Sequence, residues 1–233
     1  MLGWLSYTHD FNDNIVYVWN GGGPGNTTPC WANGWMDWST SQENTNTLLL
    51  TDDRAPYGAL LSPYLAKSKN VFKCPANGFL SVQQRRLNWP GRARSVSADA
   101  FLGDPQAAGF SSVYKYCAKT SALTIPGPVD TYAYLDEHPD SINDGAFFSP
   151  TQNGQFVDSP ATYHNFACGF AFCDGHAEVH KWQGALKKLG ASVNYVSISM
   201  GNNPTTGVAF DPDLYWLSYH TPRQSGVAGN PYH

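Results

Sequence analysis

The chain has 233 residues, a length at which one hydrophobic core can serve the whole polypeptide, and a single domain over residues 1–233 is expected. Charged residues make up only 14% of it, against 22 glycines, 16 prolines, 13 tyrosines and 8 tryptophans, which argues against long solvent-facing helices and for loops, turns and aromatic packing. The net charge of −4, without a dense Lys/Arg run, argues against a nucleic-acid partner or an anionic membrane surface, and no stretch approaches the roughly 20 apolar residues that cross a bilayer.

Met1, Trp4, Leu5, Thr8 and Phe11 recur at helical spacing and predict an N-terminal helix over 1–12, stopped by Asn12-Asp13-Asn14. Helices this short are marginal alone, so the segment reads as the end of a longer helix or, alternatively, as a short helix docked on a core. Residues 20–47, with Trp31, Trp35 and Trp38 among glycines and asparagines, read as a long ordered loop pinned by aromatics. Thr51-Asp52-Asp53 predicts the cap of a helix over 54–67. Val71-Phe72-Lys73-Cys74-Pro75 predicts an edge strand, and further strands are expected at 93–98, 112–117 and 131–136, the last with Tyr132, Tyr134 and Asp136 alternating against Ala133 and Leu135. The tail, residues 200–233, has no period and reads as extended coil.

Asp174-Gly175, between two alternating runs, predicts a hairpin with a type I′ turn within 164–182. That register places Phe172 opposite Ala177 and Phe170 opposite Val179, and it sets His176, Glu178 and His180 over Cys173, Ala171 and Gly169. Five cysteines, at 30, 74, 117, 168 and 173, lack the paired spacing of a structural zinc site. They fit either one or two disulfides of an exported protein, with Cys30–Cys74 the best pair, or buried thiols. A Cys168–Cys173 bridge is not expected, because five strand residues hold the two about 17 Å apart.

His164, followed after nine residues by Asp174-Gly175, resembles the His-x9-Asp-Gly C-terminal motif of prepilin-type, pseudopilin-like proteins of the Planctomycetes–Verrucomicrobia type. Trp4-Leu5-Ser6-Tyr7 with Asn12-Asp13-Asn14 is similar to the end of the family's pilin helix, Val71–Pro75 to its Cys-Pro strand, and Leu135 through Gly145 to its acidic loop. The resemblance implies an α+β, pilin-like head, with an antiparallel sheet against the end of an N-terminal helix whose anchoring part is missing here. It further implies export to the periplasm or cell surface, and other pilin-like subunits or secretion components as partners, with the membrane reached only through that missing helix.

Asp136, Glu137, His138, Asp140, Asn143 and Asp144 place several oxygen and nitrogen donors within nine residues, a composition that can serve Ca²⁺, although the spacing is not that of an EF-hand. An Asx-rich turn bonded to its own backbone is the structural alternative. His176 with Glu178, or Glu178 with His180, could form a close pair for Zn²⁺, and His164 and Asp174 are expected to meet across the hairpin turn as a structural pair. The site candidates are therefore Asp136, Glu137, His138, Asp140, Asp144, His164, Asp174 and His176. Two functional alternatives stand beside assembly. One is a metal-dependent hydrolase of an ester, lactone or glycosidic bond using Asp136, His138, His164 and Asp174; the other is glycan binding on exposed tryptophans. No Gly-x-Ser-x-Gly elbow or nucleophilic cysteine motif is present.

Overall fold

Asn12 and Asp13 both take left-handed backbone angles (φ 53° and 63°) and end the first helix where the sequence places its stop. In the computed structural model, which describes residues 1–103, 114–148, 156–189, 192–197 and 211–223, this helix, α1, spans Leu2–Asp10. It buries Gly3, Trp4, Tyr7 and Thr8. Phe11 falls outside the expected stripe: it lies beyond the helix, remains half-exposed and stacks on the Tyr7 ring at 4.3 Å. Gly3 lets α1 approach the 3₁₀ turn Pro63–Leu65, because a Cβ there would sit 2.8 Å from the Tyr64 carbonyl oxygen.

Residues 20–47 form the expected loop, with a 3₁₀ turn at Gln42–Asn44 and with Trp31, Met36 and Trp38 buried. Two expectations downstream fail. No helix covers 54–67: α2 spans only Leu48–Thr51, and Pro56, Gly58 (φ 64°) and Pro63 interrupt any continuation. Asp52 does not cap such a helix but grips the Arg54 guanidinium at 2.7 and 2.9 Å. Likewise Val71–Pro75 is not a strand. Lys69–Phe72 is a 3₁₀ helix, and the segment meets Ser95 at two points, through the Phe72 carbonyl (2.9 Å) and the Cys74 amide (2.8 Å). A Ser81/Gln84 capping box then starts α3 (Val82–Arg86).

The fold is α+β. Strands β1 (Val96–Asp99), β2 (Tyr132–Asp136), β3 (Ala146–Phe147), β4 (Ala167–Phe172) and β5 (Ala177–Lys181) form one sheet in the order β3-β1-β2-β4-β5, antiparallel except for β1 with β3. The expected strand at 112–117 is not formed by its described part, where Tyr114 and Cys117 make isolated bridges to Arg223 and Leu102; residues 112 and 113 lie outside the described residues.

Two one-residue irregularities decide which side chains face which side. In β2 the pairing to β4 shifts between Tyr132 and Tyr134, so Tyr132 and Leu135 pack on one side with Phe170 and Phe172, while Tyr134 and Asp136 face the other. The simple alternation expected over 131–136 is broken by this bulge. In the β4–β5 hairpin only Gly175 has positive φ (105°), so the turn is the three-residue Cys173-Asp174-Gly175 and not type I′. The extra residue moves the register by one: Ala171 pairs with Ala177 and Gly169 with Val179, and His180, Glu178 and His176 come opposite Cys168, Phe170 and Phe172. Asp174 stabilises this alternative, its carboxylate accepting from the His176 amide (3.1 Å) and bonding His176 Nδ1 (2.7 Å).

The Phe170 side of the sheet is covered by Trp182, α4 (Ala185–Leu189) and α5 (Pro212–Tyr219), and full burial of each large side chain there contributes about 1.5–3 kcal/mol. Within the tail read as coil, α5 is a correction: Asp211 caps it by accepting from the Asp213 and Leu214 amides, and Pro212 is its first residue. Residues 200–210 and 224–233 of that tail lie outside the described residues. The opposite side of the sheet packs Ala98 and Ala133 against Trp4, Trp31 and Phe72.

None of the five cysteines is disulfide-bonded. Cys74, expected to pair with Cys30, faces His164 instead. Among the described residues, no helix is long and apolar enough to cross a membrane.

Candidate functional site

The sheet side that carries Tyr134 and Asp136 is only partly covered. A groove of about 510 Å³ runs over it, lined by Tyr134, Gly169, Ala171 and Ala177, with Val179 at its exposed rim and with Met1, Trp4 of α1, Leu65 and Phe72 beside them. Small residues of β4 and β5, Gly169, Ala171 and Ala177, line this side. Val179, on the edge strand, is 74% exposed. Asp136, the last residue of β2, is among its lining residues.

At Asp136 three separate segments converge. The His164 Nε2 atom lies 3.3 Å from Asp136 Oδ2 and 3.6 Å from Cys74 Sγ, and the three donor atoms all lie within 4.8 Å of one another. Asp136 is delivered by the last residue of β2 on the face chosen by the bulge. His164 precedes β4 on a turn in which Asn165 and Phe166 both adopt left-handed angles (φ 57° and 59°) and Phe166 N–H donates to the Thr162 carbonyl. Cys74 is held by its amide bond to Ser95 Oγ, and the Ser95 hydroxyl in turn lies 3.1 Å from Asp136 Oδ1, so one serine orients two members of the cluster. The His164 ring packs on Tyr163, whose hydroxyl accepts from Asn77 Nδ2 at 3.3 Å. Burial pushes the Asp136 carboxyl up, against the opposing effects of Ser95 and His164, and burial also pushes the Cys74 thiol up.

The other sequence-derived candidates go elsewhere. Glu137 turns into the core, bonding Ser97 Oγ (2.5 Å) and Ser141 Oγ (2.8 Å); burial, then repulsion from Asp158, holds its carboxyl well above the usual range. His138 is buried, its Nδ1 accepting from the Asp140 amide at 3.2 Å, and burial pushes its pKa down. Asp140 accepts from Trp38 Nε1, Asn194 N and Tyr195 N, and Asp144 from Ala146 N and Trp19 Nε1. Only Asn143, Asp144 and His138 bond backbone amides within the loop, as an Asx-rich turn would; Glu137, Asp140 and Asp144 also bond distant segments, and among the described residues the acidic loop gathers no ligand set beyond Asp136. Asp174 and His176 pair with each other at the exposed turn, and His176 stacks on Phe172 at 4.3 Å. His164 and Asp174 do not meet, since they lie at opposite ends of β4, a strand of six residues and about 20 Å. His180 stacks on Trp216, away from any carboxylate pair.

Cys74 is the site residue that reading the sequence for ligands missed. The signal was present only as adjacency of motifs: the Cys-Pro segment, the acidic loop and the His-x9-Asp-Gly segment each contribute one member of the cluster. Compared with known proteins, the chain matches no family model, no curated protein and no solved structure.

Proposed function

We propose that the chain is a pilin-like head that works by assembly, binding other pilin-like subunits or components of a type II secretion or type IV pilus-like apparatus at the cell envelope. The observation that carries this reading is the apolar groove beside the start of α1. Its floor of glycine and alanine accepts a helix at close range, and its exposed rim residue Val179 adds apolar area that a partner would remove from water. The occupant this geometry suits is an apolar helix of a neighbouring subunit.

Catalysis by the nearby cluster is less well supported. A Cys–His–Asp relay needs the acid and the thiol on different nitrogens of the imidazole, whereas Cys74 and Asp136 both address Nε2 of His164. A metal-dependent hydrolase is the second reading, favoured by Asp136 lining the groove beside His164 and Cys74.

The test compares this chain with a version carrying an apolar helix of about 20 residues ahead of Met1, using membrane flotation and light scattering. The chain alone is expected to remain a small species. The extended version should enter membranes and assemble, and Ala171→Arg in the groove floor should abolish assembly while leaving flotation intact. Assembly indifferent to Ala171→Arg, or chelator-sensitive hydrolysis of ester or glycoside substrates, would overturn the reading.

A further inference from the structure

We propose that Cys74, Asp136 and His164 form a binding site for a borderline-soft divalent metal ion of the zinc class, which ties the Cys74 segment and the approach to β4 onto the end of β2. The inference is independent of the assembly reading, since it concerns what holds the junction together and not what the groove receives.

Distances carry it. With metal–ligand bonds of about 2.3 Å to sulfur and about 2.05 Å to nitrogen and oxygen, a tetrahedral ion sets its sulfur and nitrogen ligands about 3.6 Å apart and its nitrogen and oxygen ligands about 3.3 Å apart. The cluster has Sγ to Nε2 at 3.6 Å and Nε2 to Oδ2 at 3.3 Å. Hydrogen bonding accounts for this geometry less well. A charge-assisted imidazole–carboxylate bond closes to about 2.7–2.9 Å, shorter than the 3.3 Å between His164 and Asp136. An ion at the centre needs all three atoms to point at one spot.

The surroundings match a built site. Ser95 orients Asp136 through Oδ1 and holds the Cys74 backbone, the kind of outer contact that fixes ligands in place. The His164 and Asp136 side chains are 25% and 14% exposed, sheltered yet reachable from solvent. Donor chemistry selects the ion: a thiolate and an imidazole disfavour Ca²⁺ and Mg²⁺, which take oxygen ligands, and suit Zn²⁺ or its spectroscopic substitute Co²⁺. Three protein ligands leave one tetrahedral position for water or for a group from a partner.

The experiment uses the untagged full chain, stripped with chelator and titrated with Zn²⁺ and with Co²⁺. One equivalent should bind, the Co²⁺ form should show a thiolate-to-metal charge-transfer band, and zinc should raise the unfolding temperature. Cys74→Ser should remove the band, and Cys74→Ser and His164→Gln should each weaken zinc binding at least tenfold. His176→Gln, at the exposed turn, should leave binding unchanged. Circular dichroism of the metal-free variants checks folding, and His164→Gln decides the matter if Cys74→Ser does not fold. Absence of zinc binding, binding unaffected by both cluster variants, or displacement of zinc by equimolar Ca²⁺ would overturn the proposal. Zinc binding with no groove-dependent assembly, or the reverse, separates this inference from the assembly reading.

Discussion

Trp38 donates its indole N–H to Asp140 Oδ1 at 2.9 Å, across 102 residues, and so fastens the tryptophan-rich loop to the acidic loop. The same carboxylate accepts from the amides of Asn194 (2.7 Å) and Tyr195 (2.9 Å). Asp140→Ala leaves these three donors without their acceptor and is expected to cost about 2–4 kcal/mol, read as a lower urea midpoint with an unchanged slope. The cost should be the same with and without millimolar calcium. A cost that grows with calcium would instead make Asp140 a ligand.

The His180 ring lies 4.0 Å from Trp216; burial, and then the neighbouring His220, push its pKa down to about 4. Burial also lowers His220, opposed by the Asp130 carbonyl, Glu178 and Asp130 and reinforced by Arg223. A histidine whose folded pKa lies below its unfolded value binds protons more weakly when folded. Its contribution is therefore complete above pH 6.5 and is lost as the pH falls from 6.5 towards 4. His180→Phe keeps the stack without the titration and should reduce this acid destabilisation by about 1–2 kcal/mol, less than the full shift would give because solvent reaches the ring. Denaturation midpoints at several pH values check it; parallel curves for wild type and variant would refute the assignment.

Gly175 takes φ 105°, and a Cβ there would meet Leu5 Cδ1 at 3.3 Å, so Gly175→Ala strains the turn and presses on α1 at once. A loss of about 1–3 kcal/mol is expected. Asp174→Ala removes only exposed turn bonds and should cost about 0.5–1.5 kcal/mol. Equal and negligible losses in thermal unfolding would mean that the three-residue turn does not set the register.

Local chemistry was legible in the sequence where a single segment decides its own conformation. Asn12-Asp13 stop α1 because such residues tolerate left-handed angles, and Asp174-Gly175 mark a hairpin because a turn needs that pair. The strand at 131–136 followed from the alternation of Tyr132, Tyr134 and Asp136 with Ala133 and Leu135, although a bulge breaks that alternation, and the α+β class from the resemblance to the pilin-like family. A local signal for α5 is also present, in Asp211-Pro212, but it sits in a stretch without apolar period.

What the tertiary structure alone decided is the side each residue faces. Strand side chains alternate with a period of two, so the bulge in β2 and the extra turn residue before β5 each reverse the faces beyond them, although neither leaves a local mark as strong as the alternation it overrides. Those two single-residue shifts turn Asp136 to the groove side, bring Ala177 and Val179 beside Ala171 and Gly169, and carry His176 away to Phe172. The Cys74–Asp136–His164 cluster is likewise a matter of packing: its members are separated by 28 and 90 residues, and only the closing of Ser95 onto both Cys74 and Asp136 brings them within reach of one atom.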